Sequence, residues 1–520
     1  MLLWGTARRA AAWCGARRDR QLWSLTVLDM AAAARSSSRL MAASFFVINH
    51  RRYIVVAPMS LTPAHAPAPK PGPAPLANES APLVKQAGRR IPREIPALDG
   101  FRLFAAIHIV GVHFGPGGYL TTNSWRVWGH CWVPFFFLLS GFGVAHSAAS
   151  RGSQAPDNAE LLPRRATLLR RLLKVYPTYL VCFLLATTRV PMVLHALSRG
   201  EASVGNPLYA PELSHSELVR HYVFAFIEPF MVQAYAPATF SAARFVNSPD
   251  WWVSAITFCW LTEPVILRVC SYCFTRLGGA LSVALLMVWV VVWPPVCFPF
   301  TWGCSPLVTG EAPGPLYTCA SFRSGFRHFY AISALMFVHQ YACGVLLALV
   351  LHARAADVRT TPLRWGACVA CLVLLGTFFI HPSWIGIPVD GAGSDFMLIW
   401  VKTVGVLLPV HCLLIAGLVE GDPIAALGQA LPRAMAFSRD ISLSIYLVQW
   451  PVGLWFTALV SSAQGHQVAL TYAQFVGLLA CIVTSGSIVT YGVQLPAERL
   501  LGRYLAKPKA EDAAKASRDP

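Results

Sequence analysis

The chain has 520 residues, of which 55% are apolar and 13% are charged, against about 25% charged residues in a typical soluble protein. This composition excludes a soluble multidomain protein and indicates an all-α, multi-pass membrane protein, because helices satisfy their backbone hydrogen bonds internally within a bilayer. The net charge of +18 does not predict nucleic acid binding, since no basic stripe alternates with aromatic residues in a recognition pattern.

The N-terminal region, residues 1–96, is predicted to be a basic, Pro/Ala-rich disordered tail. Residues 1–60 are rich in Arg and Ala and poor in acids, which fits a transit peptide, a cytoplasmic tail or an overextended start with Met30 or Met41 as the initiator. Residues 62–76, "TPAHAPAPKPGPAPL", form an extended linker. Residues 504–520 are a charged C-terminal tail.

Between the tails, residues 97–503 form a predicted membrane domain of about ten transmembrane helices. The apolar runs lie at about 98–115, 127–148, 172–195, 251–273, 278–300, 332–353, 365–382, 396–420, 440–461 and 468–491. The stretch 217–236 is apolar but carries Glu217, Arg220, His221 and Glu228, which favours an interfacial or re-entrant segment over a span.

The distribution of basic residues predicts the orientation of the chain. With ten spans and a cytoplasmic N-terminus, 33 of the 42 Lys and Arg residues face the cytoplasm and six face the other side. Both termini are therefore expected in the cytoplasm. The sequence does not distinguish the plasma membrane from an internal membrane.

The first span, within "ALDGFRLFAAIHIVGVHFG" at 97–115, carries four ionisable residues. At about 100° per residue, Asp99, Arg102 and His113 share one helical face, and His108 points away from it. His113 lies roughly 16 Å along the helix axis from Arg102. We therefore expect a path between them, with an anionic substrate group at Arg102 and its reacting end at His113, while His108 is expected to be a packing residue.

A second basic group lies in "LLPRRATLLRRLLKVYPTYL", before the third span. Arg170, Arg171 and Lys174 fit either positive-inside anchoring or phosphate binding, for which Arg gives bidentate contacts and Lys a point charge. Among 14 cysteines, the CxxC pairs Cys270/Cys273 and Cys368/Cys371 lack further ligands at metal-binding spacing, so they are interpreted as packing residues and no metal site is expected. Cys304 and Cys319 share one loop and could form a disulfide.

Several motifs in order resemble the membrane acyltransferase-3 family over residues 95–503. They are "LDGFR" with ten residues between its Arg102 and His113, "PFFFLLSGF", "RRLLKVYPTY", "QYACGVLLALVL" at 340–351, "DISLSIYLVQWPV" at 440–452 and "VQLPAERLL" at 493–501. Each motif alone is weak, and their shared order is fairly specific.

The resemblance implies transfer of an acyl group, often acetyl, from cytoplasmic acyl-CoA to a hydroxyl of a sugar, glycan, lipid or small metabolite. Arg102, Arg170, Arg171 and Lys174 would hold the CoA phosphates. His113, with Arg102, would carry the catalysis, either as general base or as acyl carrier. The residues expected to support this site are Asp99, Ser140, Tyr176, Tyr446, Gln449 and Glu263. Acyl-CoA would be a co-substrate, with no permanently bound cofactor, and the oligomeric state is undetermined.

The sequence departs from the family pattern at four positions. The acid of the family's W-x-L-S-V-E motif corresponds to Ile256, for which Glu263 is a candidate substitute. Gln449 replaces a His, Gln494 replaces a Glu near the last span, and Lys174 stands at the third basic position of the RR-x-x-R segment. These departures leave open a family member that has lost activity and serves in binding or structure. A transporter, suggested by Lys402 and Arg189 within spans, lacks the internal symmetry expected of that class.

Overall fold

The computed structural model describes residues 91–116, 128–150, 165–188, 228–232, 234, 247–279, 281–284, 288, 334–356, 363–380, 384, 405–464 and 470–502. All of them belong to one unit, Val84–Pro520. Several predictions fall outside these residues: the tail up to residue 90, most of the span at 278–300, the Cys304/Cys319 disulfide, Arg189, Lys402 and the tail 504–520.

The described residues form helices and no strand, which confirms the all-α fold. The α-helices are α1 (Pro96–Phe114), α2 (Trp132–Ser150), α3 (Arg165–Thr187), α4 (Trp251–Leu277), α5 (Val338–Ala356), α6 (Gly366–Phe379), α7 (Leu408–Glu420), α8 (Pro423–Ala430), α9 (Pro432–Gln464) and α10 (Tyr472–Val489). A π-helical turn, Thr490–Gln494, follows α10, and 3₁₀ turns lie at Glu228–Phe230, Ser248–Asp250 and Ala334–Met336.

Five of the described helices are long and apolar enough to cross a membrane: Pro96–Phe114, Trp132–Ser150, Trp251–Leu277, Pro432–Val460 and Tyr472–Gly502. They coincide with five of the predicted spans. A bent pair, α7 with α8, would give a sixth. The protein is thus a multi-pass membrane protein, and the count of ten spans stays a prediction.

Local sequence explains where these helices begin and end. Pro96 is the first residue of α1. The N–H groups of the first helical turn have no partner within the helix, so proline, which lacks an N–H, loses no hydrogen bond there. Between α7 and α8 the chain turns by 63°, because Gly421 adopts a left-handed conformation with φ 88° and Asp422 caps α8 by accepting from the Ile424 N–H at 3.0 Å. The predicted span 396–420 is therefore followed by a sharp bend.

Helices α1 and α9 pack in parallel. The Sδ of Met435 lies 3.0 Å from the position of a Cβ on Gly100, and the ring of Phe114 lies within 2.4 Å of such a position on Gly453. Residues near the start of α1 thus contact residues near the start of α9, and residues near the end of α1 contact residues further along α9. We call the Arg102 end of this pair the basic end and the opposite end the His113 end.

Helices α2 and α5 approach each other through two glycines. A Cβ on Gly141 would lie 2.0 Å from the Tyr341 carbonyl oxygen, and a Cβ on Gly344 would lie 1.9 Å from the Leu138 carbonyl oxygen. Only residues without a side chain allow this separation, as in other membrane helix pairs that pack through small residues. Tyr341, at this contact, donates a hydrogen bond from its hydroxyl to Glu263 of α4 at 3.1 Å.

We expect Gly344→Ala to destabilise the protein, because its methyl group would force α2 and α5 apart. The free energy of unfolding should fall by about 2 kcal/mol or more, measured by thermal melting in detergent. Gly376→Ala in α6 is the matched control, since a Cβ there meets nothing within 4 Å. Equal melting temperatures for the two variants would contradict this account of the α2–α5 contact.

Candidate active site

The basic end of the α1–α9 pair gathers several charged side chains. The Nη1 of Arg102 donates to Oδ1 of Asp99 at 3.0 Å, one helical turn away. Lys174 from α3 and Arg439 from α9 are close enough to Asp99 to interact with it electrostatically. The structure therefore brings together Asp99, Arg102 and Lys174, and it adds Arg439.

Arg439 is a residue that the sequence argument missed. It lies in the segment "FSRDIS", and its charge acts on both Asp99 and Arg102. A signal was present, because Arg439 precedes Tyr446 by seven residues and so lies only about 20° from its helical face. Its Nε donates to the adjacent Asp440 at 3.3 Å, and the pairing of α9 with α1, which brings Arg439 near Arg102, could not be read from that spacing.

Arg171, predicted to hold a phosphate, instead forms a bidentate ion pair. Its guanidinium donates to both carboxylate oxygens of Glu263 in α4, with Nη2 to Oε1 at 3.2 Å. The hydroxyl of Tyr341 donates to the same carboxylate at 3.1 Å. The neighbouring Arg170 and Lys174 are exposed, so they are the members of the group more accessible to a soluble ligand.

These contacts bear on the proposed substitution of Glu263 for the missing family acid. Its carboxylate is buried and accepts hydrogen bonds from Arg171 and Tyr341, which is the arrangement of a structural ion pair. Ile256 is fully buried in the apolar core. Ile256 has no carboxylate, and the described contacts of Glu263 do not direct its carboxylate toward His113.

At the His113 end, the imidazole meets the side chain of Gln449. Nδ1 of His113 lies 3.3 Å from Oε1 of the fully buried Gln449. The amide group of Gln449 is oriented by its other end, since Nε2 donates to the Tyr446 carbonyl oxygen at 2.8 Å. A carbonyl oxygen can only accept, so Oε1 must face His113 and accept the Nδ1 proton.

This orientation selects one tautomer of His113. When Nδ1 carries the proton, the lone pair of the neutral ring is on Nε2. An imidazole held in one tautomer by a neighbouring acceptor is the arrangement used for general base and nucleophilic catalysis. Gln449 thus supplies the orienting acceptor without a charge.

His108, on the other face of α1, is a buried packing residue. It is 3% exposed, and its Nδ1 accepts a hydrogen bond from Nε1 of Trp132 at 2.8 Å. Its ring lies edge-on to Phe378, with 4.7 Å between centroids. These contacts confirm the separation of His108 from the polar face of Asp99, Arg102 and His113.

The structure also places the remaining predicted supporting residues. Tyr446 is buried between Phe136 and Trp252. Ser140 in α2 accepts from the indole N–H of Trp260 at 3.4 Å. Tyr176 stacks on Tyr179, with ring centroids 6.0 Å apart. Of the three, Tyr446 is the one that shares a helical turn with Gln449.

A buried polar group stabilises α9 beside Gln449, and sequence reasoning did not find it. Pro451 lies inside α9 and has no N–H for the carbonyl four residues earlier, that of Leu447. Nδ2 of Asn247 donates to that oxygen at 3.2 Å and to Asp250 at 2.7 Å. The Asn247 N–H donates to the buried Glu228 at 3.0 Å.

Comparisons with known proteins identify the family of the chain. A family model described as an acyltransferase domain, acyltransferase-3, matches residues 95–492. The chain belongs to the acyltransferase-3 family. A relative, acyltransferase MdmB from Streptomyces mycarofaciens, is 24% identical over 432 residues, which cover 81% of this chain and 96% of the relative. No solved structure matches the chain.

Family membership establishes the class of reaction. The protein is a transferase of acyl groups other than amino-acyl groups, with helices suited to a membrane. The matched region contains α1 and α9 in full. The residues that meet at the two ends of this helix pair are therefore the candidates for the acyltransferase site.

We expect Asn247→Ala to destabilise the protein, because the Leu447 carbonyl would be left buried without a donor. Such a group costs about 1–3 kcal/mol. Combining it with Pro451→Ala should recover part of the loss, since alanine restores an N–H for the Leu447 oxygen. Melting curves of both single variants and the double variant measure the coupling, and strictly additive effects would contradict the compensation.

Proposed function

We propose that this protein moves an acyl group, acetyl in the simplest case, from cytoplasmic acyl-CoA to a hydroxyl of a sugar, glycan, lipid or small metabolite. The observation that carries the proposal is the contact of His113 with Gln449 at one end of a helix pair whose other end is basic. A phosphate-bearing donor and a base-assisted transfer fit these two ends.

The basic end suits the phosphates of CoA. Arg102, Lys174 and Arg439 lie near Asp99, where Arg102 pairs with Asp99 and Arg439 pairs with Asp440 at 3.3 Å. The charges of Arg102 and Arg439 repel each other, and a bound phosphate would relieve that repulsion while accepting charge-assisted hydrogen bonds. Arg170 is exposed on the same helix as Lys174 and would add to the attraction.

The distance between the two ends suits a long donor molecule. Arg102 and His113 are eleven residues apart on α1, which corresponds to roughly 16 Å. An extended pantetheine arm would carry the thioester from phosphates held at the basic end to His113. The excess of Lys and Arg on one set of segments predicts that these face the cytoplasm, which supports entry of the donor at the basic end.

In the proposed transfer, Nε2 of His113 removes the proton of the acceptor hydroxyl. The hydroxyl oxygen attacks the thioester carbonyl carbon, and a C–O bond forms. The C–S bond then breaks, and the CoA thiolate receives the proton from His113. In a second route Nε2 itself attacks the carbonyl carbon, the C–S bond breaks and the CoA thiolate leaves. The acceptor hydroxyl oxygen then attacks the acyl carbon on His113, the C–N bond breaks, and the hydroxyl proton passes to the thiolate.

Gln449 would make either route independent of the carboxylate that the family pattern has at position 256. It fixes the His113 tautomer through a hydrogen bond and needs no charge to do so. The presence of Ile256 is therefore compatible with an active enzyme. The hydrogen bond between His113 and Gln449 favours activity over the binding or structural role that the sequence departures left open.

We expect His113→Ala to abolish acyl transfer and Gln449→Leu to reduce it. Loss of the orienting acceptor should lower kcat by at least tenfold, since a triad with the wrong tautomer loses far more, about 10⁴-fold. The purified full chain in nanodiscs is given ¹³C-labelled acetyl-CoA and an extract of lipids, glycans and polar metabolites. Mass spectrometry identifies and quantifies the labelled product.

Gln449→His is the companion variant, because imidazole also offers an acceptor nitrogen, and it should retain more activity than Gln449→Leu. Thermal melting shows that each variant is folded. Unchanged acylation by His113→Ala would remove His113 from the mechanism. Absence of any labelled product from the folded native chain, with CoA still bound, would instead support the binding role.

We expect Arg439→Gln to weaken the use of acetyl-CoA. Loss of one charge-assisted phosphate contact should raise KM for acetyl-CoA roughly tenfold with little change in kcat. Arg433→Gln is the matched control, because Arg433 lies six residues earlier on the same helix and is exposed. Equal KM values for the two variants would exclude a phosphate contact by Arg439.

A further inference from the structure

Trp450 lies directly against the imidazole of His113. It follows Gln449 in α9, and the two ring centroids are 5.5 Å apart with an interplanar angle of 84°. Only 3% of Trp450 is exposed. Its indole N–H has no hydrogen-bond partner among the residues that the structure describes.

Such a group is unusual, because a buried donor without a partner costs about 1–3 kcal/mol. Other indole N–H groups in the described part of the chain do have partners. Those that donate are Trp128 to the Ile380 carbonyl at 3.0 Å, Trp132 to His108 at 2.8 Å, Trp260 to Ser140 at 3.4 Å and Trp455 to Thr188 at 3.2 Å. An unpaired buried donor beside a catalytic base calls for a functional explanation.

A second unpaired indole N–H, that of Trp252, has a different environment. The ring of Trp252 packs against Tyr446, at 5.6 Å, and against Phe136 and Phe137, each at 6.0 Å. Trp450 is the one of the two whose ring contacts that of His113. The unpaired N–H of Trp450 therefore belongs to a ring that lies beside His113, the proposed base.

The neighbours of Trp450 fix its position before a substrate binds. The ring of Phe114 lies 5.7 Å from that of Trp450, and Phe114 is itself held closely against Gly453, where there is no room for a Cβ. A donor fixed in advance needs no reorganisation when charge develops, which is the requirement for electrostatic stabilisation of a transition state.

We propose that the indole N–H of Trp450 donates a hydrogen bond to the thioester carbonyl oxygen during acyl transfer. This inference rests on the proposed function, which places that thioester at His113. As the acceptor oxygen bonds to the carbonyl carbon, the C=O π electrons move onto the oxygen, which becomes negatively charged. The N–H stabilises this oxyanion without giving up its proton. The electrons return to the C=O bond when the C–S bond breaks.

The oxyanion role has a consequence that simple packing lacks. A hydrogen bond that strengthens only in the transition state affects kcat and leaves ground-state binding of the donor nearly unchanged. Removing a single donor of this kind typically lowers kcat by about 10²–10³-fold. A packing role would instead alter stability, or KM and kcat together.

The test replaces Trp450 by Phe and, in a second variant, by 3-benzothienylalanine. The latter keeps the shape of the indole and has sulfur in place of the N–H. Trp455→Phe is the matched control on the same helix, because the Trp455 N–H is already engaged with Thr188. All variants are assayed with ¹³C-labelled acetyl-CoA and the extract described above, together with thermal melting.

We expect both Trp450 variants to lose roughly 100-fold in kcat with unchanged KM for acetyl-CoA, while Trp455→Phe retains the native rate. The benzothienyl variant should melt no lower than the native chain, because it removes an unpaired buried donor. A benzothienyl variant with native kcat would overturn the inference, because shape alone would then suffice. If His113→Ala stays active while both Trp450 variants are impaired, the proposed base fails and the oxyanion donor stands. If His113→Ala is inactive while both Trp450 variants keep the native rate, Trp450 is excluded as the oxyanion donor and His113 stays in the mechanism.

Discussion

The arrangement of the site depends on one buried amide. Gln449 has a donor end and an acceptor end, and the Tyr446 carbonyl can take only the donor. The acceptor end must therefore face His113, which places the imidazole lone pair on Nε2. A single backbone carbonyl in α9 in this way decides which nitrogen of a residue in α1 can act as a base or nucleophile.

This constraint holds only if α9 keeps its shape at Gln449, and the helix carries a proline two residues further on. Pro451 deprives the Leu447 carbonyl of its usual donor, and Asn247 replaces that donor from outside the helix. Asn247 is in turn bound to the buried Glu228 and Asp250. A polar group remote in sequence thus supports the geometry of the His113–Gln449 contact. Gly453 also contributes, because its lack of a side chain leaves room for the ring of Phe114, the residue after His113.

The sequence was sufficient for features set within one helix. The 3.6-residue period separated His108 from Asp99, Arg102 and His113, and the structure confirms that His108 is packed and hydrogen-bonded. It was insufficient for features set between helices. The pairing of Arg171 with Glu263, the proximity of Arg439 to Arg102 and the role of Asn247 all depend on which helices are neighbours, which periodicity does not encode. Composition predicted about ten spans, of which the described residues supply five candidates and a bent sixth.

The family assignment gives the class of reaction, and we propose its direction from the two ends of the α1–α9 pair. Phosphates at Arg102, Lys174 and Arg439 and a thioester at His113 are the central claim. The most direct measurement is a cryo-electron microscopy structure in nanodiscs with a thioether analogue of acetyl-CoA. The account predicts phosphate density at the basic end and the acyl end beside His113 and Gln449. Analogue density elsewhere, or in the opposite orientation, would contradict it.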